Sequence, residues 1–299
     1  MRVVPSSKIA SCLLLLLLLC AAGHVSAFKK PTSTSTITLN KLRGGGSAGP
    51  LDATIVAKTS TALFGIQGLL NVLCPEAMLK SYGVSNKIDE VHIIQAKAIG
   101  FPQLAIATCS GLLLLNDNDA VVVDVNTAVA YTLLVYVVAQ VTSIINGSVI
   151  KMGAKNENIL VWVAMNSIAA YGLLSNADWS TNLVKVLAGI AIVTSGIIAI
   201  NPTQGMKVYG SDMKLTSELE LGSKTSAYWM IASSLQLFAI VSDVDIFKSI
   251  GYVWIVGTIL IVDNVFLSNN HKSTTEKKLD AIGAAFLLFA LAAVGTLAL

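Results

Sequence analysis

From residue 50 onward the chain alternates long apolar runs with short polar stretches. The two-residue rhythm of a half-buried strand is absent. Eight runs stand out: Thr54–Leu73, Ile93–Leu115, Val125–Ile150, Ile159–Leu174, Leu183–Ile200, Thr225–Val241, Phe247–Leu267 and Leu279–Leu299. About twenty apolar residues in a helix cross the hydrocarbon of a bilayer. The pattern therefore predicts an all-α polytopic membrane protein with about eight transmembrane helices, the fourth, fifth and sixth being the shortest. Transmembrane strands would read as short alternating segments, which argues against a barrel.

Composition sharpens this picture. The chain has 299 residues, 54% hydrophobic and 12% charged, with a mean hydropathy of +0.72. A soluble domain carries about a quarter charged residues. The net charge is +3, and removing Arg2 and Lys8 with a cleaved leader would leave +1. Nothing in that balance points to a nucleic acid; the expected partners are the lipid bilayer and other membrane proteins.

The runs look duplicated. Cys74-Pro75, Lys80, Tyr82-Gly83 and Lys87 follow the first run, and Asn201-Pro202, Lys207, Tyr209-Gly210 and Lys214 follow the fifth, all at one offset of 127 positions. The shared motif is P-x4-K-x-Y-G. Asp117 and Asp119 are echoed by Asp243 and Asp245 at an offset of 126. Proline cannot continue a helix ladder, and Tyr-Gly suits an interfacial turn. The expected organisation is two parallel four-helix repeats, residues 51–176 and 177–299, because an even number of spans keeps its orientation when copied in tandem.

Charge then orients the helices. Loops after odd-numbered runs hold Lys80, Lys87, Lys151, Lys155, Lys207, Lys214, Lys224, Lys272, Lys277 and Lys278, whereas the opposite side of the body holds Lys58, Lys185 and Lys248. That bias places the lysine-rich side in the cytosol or stroma and both termini on the lumenal or outer side.

Residues 1–27 read as a signal peptide: basic Arg2 and Lys8, an apolar core around Leu13–Leu19, and small residues at Val25-Ser26-Ala27 before Phe28. Residues 28–50 are basic and hydroxyl-rich without an acidic group. Together Ser26-Ala27-Phe28 and this tail resemble the bipartite plastid presequence of algae with secondary plastids, although Val25, Lys29 and Lys30 depart from that family's A-S-A-F-A-P pattern. The resemblance implies a plastid membrane, thylakoid or envelope; the alternative is an endomembrane protein with a flexible Ser/Thr linker.

Few residues carry reactive chemistry. Cys12 and Cys20 lie in the leader, leaving Cys74 and Cys109, which read as small interfacial or buried thiols. His92 and His271, the two histidines past the leader, read as solvated interfacial groups with no metal or haem spacing. No catalytic residue, metal ligand or cofactor is expected. Two ionisable groups fall at membrane depth, where charge is expensive: Lys97, about one turn inside the second run, and Asp263 in the seventh, beside Asn264. With Gln103, Gln140, Asn166 and Gln236 they form a candidate polar cavity. The competing reading is a snorkelling lysine and interhelical amide hydrogen bonds. A stripe of Ala96, Gly100, Ala107 and Gly111 reads as packing.

Paired four-helix units with a Pro-Tyr-Gly turn after the first helix resemble DoxX-like membrane proteins, a resemblance that implies membrane redox chemistry or quinones. The expected role is a non-enzymatic small-solute carrier or a lipid- or quinone-binding accessory protein. The alternatives are a membrane-embedded oxidoreductase subunit and a structural membrane organiser.

Overall fold

A computed structural model describes residues 52–82, 84, 88–114, 123–211, 213–264 and 281–298. The leader, residues 28–50, Gly83, Lys87, Asp117, Asp119 and the His271 loop lie outside them. The regular elements among the described residues are helices: α1 (Ala53–Leu73), α2 (Pro75–Ser81), α3 (Glu90–Leu114), α4 (Val125–Ile145), α5 (Ser148–Lys151), α6 (Asn156–Leu174), α7 (Ser180–Ile200), α8 (Pro202–Val208), α9 (Ser217–Ile240), α10 (Ile246–Val262) and α11 (Ala281–Leu297). Five of them, α1, α3, α4, α6 and α7, are long and apolar enough to cross a membrane. Large apolar side chains such as Ile66, Val161, Val193, Ile200 and Leu288 stand exposed on the outer helices. Water disfavours so much uncovered apolar surface and lipid does not, which is consistent with a membrane-embedded molecule.

Several of the helices start or stop for a local reason. Asp52 accepts hydrogen bonds from the Thr54 and Ile55 backbone N–H groups at the start of α1, Asp124 caps α4 through Thr127, and Asp245 caps α10 through Phe247 and Lys248. These carboxylates satisfy donors that a helix start leaves open. Pro75 and Pro202 stop α1 and α7 and occupy the first positions of the short helices α2 and α8, where a missing N–H costs nothing.

Several sequence boundaries shift. The third run divides at Gly147, whose φ of +67° forms a left-handed turn, so α4 ends at Ile145 and α5 is a separate surface turn. The sixth run starts two turns earlier, at Ser217, because Thr216 caps it through Leu219. Asp263 and Asn264 continue α10 as a π-helical turn, the last residues described there. Lys97 sits two turns inside α3, since that helix begins at Glu90.

The helices pack in matched sets. α1 lies on α3 as α7 lies on α9; α4 pairs with α6 as α10 pairs with α11; and α6 meets α7 as α11 meets α1. The α3–α9 pair forms the centre. His92 meets Glu218 near one end and Ser110 meets Gln236 near the other, so the two helices run parallel with residues 126 positions apart in contact. α1 and α3 cross closely at Gly68 and Gly100, where a Cβ on Gly100 would come within 2.8 Å of the Gly68 carbonyl oxygen. Ala107 and Gly111 face Gly65 and Thr61 along the same seam. The small-residue stripe is packing.

Candidate functional site

Beside the central pair lies a cavity of about 590 Å³, lined by α3, α4, α6, α7 and α9, with the end of α1, Pro75 of α2, and residues of α5 and α8 at one end. Its composition changes along its length. α3 and α9 enter from the lysine-rich end, and α4 and α7 finish there, so Lys97, Asn146, Ser148, Ser195, Tyr209 and Ser223 line that end. Leu133, Val184, Leu187 and Leu237 line the opposite end and are apolar. Gln140, which accepts from the Asn166 side-chain amide at 3.4 Å, marks the middle.

Among the described residues Lys97 is the only charged side chain on the wall, and no Asp or Glu lines it. It is half-buried, and among the described residues it makes no hydrogen bond or ion pair. Its neighbours at this end are already engaged. The Gln95 amide donates to the Leu219 carbonyl and the Ser223 hydroxyl, and Ser226 donates to the Ala98 carbonyl. Lys151 pairs with Glu90 across α5 and α3.

Of the seven residues expected to form a polar cavity, Lys97, Gln140 and Asn166 share this wall. The other four do not line it. Gln103 is fully buried against Asn71 of α1, at 3.1 Å. Gln236 donates to Ser110 in the α3–α9 seam at 2.6 Å. Asp263 accepts from the Tyr228 hydroxyl at 3.0 Å and lies 3.5 Å from the Lys224 ammonium. Asn264 donates to Thr225. Those four fasten helices together.

His92 also departs from expectation. It is 8% exposed, with Nδ1 2.7 Å from Asp89 and Nε2 3.0 Å from Glu218. Instead of facing solvent it ties α3 to α9, because Glu218 stands in the first turn of the parallel partner. Cys74 is exposed at the α1–α2 joint and Cys109 is buried. Among the described residues no group of His, Cys, Asp or Glu gathers to hold a metal ion.

The cavity has a filled counterpart. α9, α10, α11, α1 and α3 form the corresponding set on the other side of the central pair, and there Phe64, Trp229, Trp254, Phe286 and Phe289 pack together. Phe64 and Trp254 stack at 4.9 Å, and Trp254 meets both Phe286 and Phe289 at 5.3 Å. Trp254 also donates its indole N–H to Ser60 at 2.8 Å. Counting from the paired prolines, Phe64 corresponds to Ala191. Counting from the caps that start α4 and α10, Asp124 and Asp245, Trp254 holds the position in α10 that Leu133 holds in α4, a count five positions shorter than the one that sets Asp119 against Asp245. Both smaller residues line the cavity.

No known protein family, curated protein or solved structure matches the chain.

Proposed function

We propose that the chain is a non-enzymatic membrane protein that binds an apolar or amphiphilic small molecule, a lipid or a quinone, within a plastid membrane. The observation that carries this reading is the 590 Å³ cavity beside the α3–α9 pair, apolar along most of its wall. Small-molecule sites have this size and character, with a few placed polar groups that orient the ligand. A dry, closed bundle would have suited a purely structural organiser; the cavity favours a binder. The proposed architecture is eight spans in two parallel four-helix repeats. The shared 127-residue spacing of the proline turns and the parallel α3–α9 contact support it. The plastid address rests on the presequence resemblance, and the lumenal termini rest on the lysine bias.

The test is fractionation of cells expressing the tagged full chain, purification in mild detergent, and mass spectrometry with a visible spectrum of what co-purifies. Recovery with plastid membranes and one retained lipid or quinone per chain is expected. Recovery with plasma membrane would refute the address, and a chain without any retained or exchangeable apolar ligand would refute the binding role.

A further inference from the structure

We propose that the ligand of this cavity is a single-chain amphiphile with an anionic headgroup, a long-chain carboxylate, held with its carboxylate at Lys97 and its tail toward Leu133, Val184, Leu187 and Leu237. The inference rests on the binding role proposed above and adds the ligand's charge, size and direction.

Charge comes from Lys97. A cation two turns inside an apolar helix is costly unless it reaches water or an anion. Among the described residues the cavity wall supplies no carboxylate, and the acidic groups at the starts of α3 and α9 are committed elsewhere: Glu90 to Lys151, and Asp89 and Glu218 to His92. An anionic headgroup completes the site. Asn146 and Ser148, on the wall at the same end, can donate to its second oxygen.

Size comes from the volume. A methylene occupies about as much space as a water molecule in the liquid, about 30 Å³. The 590 Å³ space thus takes roughly twenty non-hydrogen atoms, the size of one acyl chain with its carboxylate. Direction comes from the graded wall, since a tail placed at the lysine-rich end would meet serines, Asn146 and Tyr209. The site is single because Phe64 and Trp254 occupy the corresponding space across the central pair.

The experiment titrates the full-length protein in detergent at mildly alkaline pH with palmitate and with hexadecanol, which share a chain but differ in charge. A charge-assisted contact contributes about 1.5–3 kcal/mol, so palmitate should bind the native protein about tenfold or more tightly than hexadecanol. Lys97→Gln should bring the two affinities within about threefold while hexadecanol still binds. Ala191→Phe should weaken both probes, because it puts the filling ring of the other side into the cavity. Equal affinities of the native protein for the two probes would overturn the carboxylate assignment and leave the binding role standing. Failure of the native protein to bind either probe, or binding untouched by Ala191→Phe, would overturn both. The native comparison stands even if a variant fails to fold.

Discussion

Among individual residues, His92 shows how strongly position decides role. The exposed Lys80–Glu76 pair, with side chains 65% and 61% accessible, joins residues four apart on one short helix. Such a pair contributes about 0.3–0.5 kcal/mol. His92 is almost covered and joins two helices through Asp89 and Glu218. Hydrogen bonds to charged groups contribute about 1.5–3 kcal/mol. His92→Ala should therefore lower the thermal midpoint in detergent by several degrees while Lys80→Ala leaves it nearly unchanged; equal effects would mean that the α3–α9 bridge carries no stability. Asp89 adds a pH signature. Hydrogen bonding from the His92 backbone N–H holds its carboxyl below the ordinary 3.8. Its capping contribution is complete above the ordinary carboxylate range and fades as pH falls through the lowered folded value.

At the level of elements, the ends of helices define the topology. Carboxylate caps at Asp124 and Asp245 sit at one end of the bundle, and the proline joints at Pro75 and Pro202 sit at the other with the lysines. Tyr82 accepts from Gln67 and Asn71, and Tyr209 faces Thr194, so both joints fold back on the helix before them. Each lysine moved to the translocated side costs free energy during insertion, which is why the bias reports orientation. In a Cys74→Ser background, cysteines at Lys155 and Thr203 should react with an impermeant reagent from the cytosolic or stromal side. Cysteines at Ser175 and Lys248 should react only from the opposite side. Labelling of Lys155 and Thr203 positions from opposite faces would dismiss the parallel repeat.

Across the whole molecule, similar helix sets surround the central pair, yet one side is open and the other is filled by aromatic rings. Phe64 is 1% exposed within that filling. Its neighbours cannot collapse easily, since Trp254 is also held by Ser60, Phe286 and Phe289. In lipid the transfer gain of burying a ring largely vanishes, and the cost of an unfilled space remains. Phe64→Ala should thus cost about 3 kcal/mol, the lower end for such a truncation. It should also admit a second equivalent of hexadecanol, visible by native mass spectrometry. An unchanged midpoint together with one bound equivalent would show that the aromatic cluster is not what closes that side.

Much of this architecture was legible in the residue string because lipid imposes a simple rule: every backbone polar group must be satisfied inside a helix, so apolar runs of the right length become helices. The described parts of the eight runs are helical, the third divided at Gly147, and five of the helices are long and apolar enough to cross a membrane; Pro75, Pro202, Asp124 and Asp245 end or start helices through local backbone chemistry that needs no partner. The small-residue stripe on α3 was readable for the same reason, since close helix packing leaves a repeating mark. Side-chain destinations were not readable. Gln103, Gln140, Asn166 and Gln236 are alike as buried amides in apolar helices, and only the angles and neighbours of those helices send two to a cavity wall and two into seams. Lys97 and Asp263 looked equally anomalous at membrane depth. Three-dimensional packing gives Asp263 the Lys224 ammonium and the Tyr228 hydroxyl, and leaves Lys97 facing open space, because long-range contacts between helices 30 to 130 residues apart leave no periodic trace in either segment.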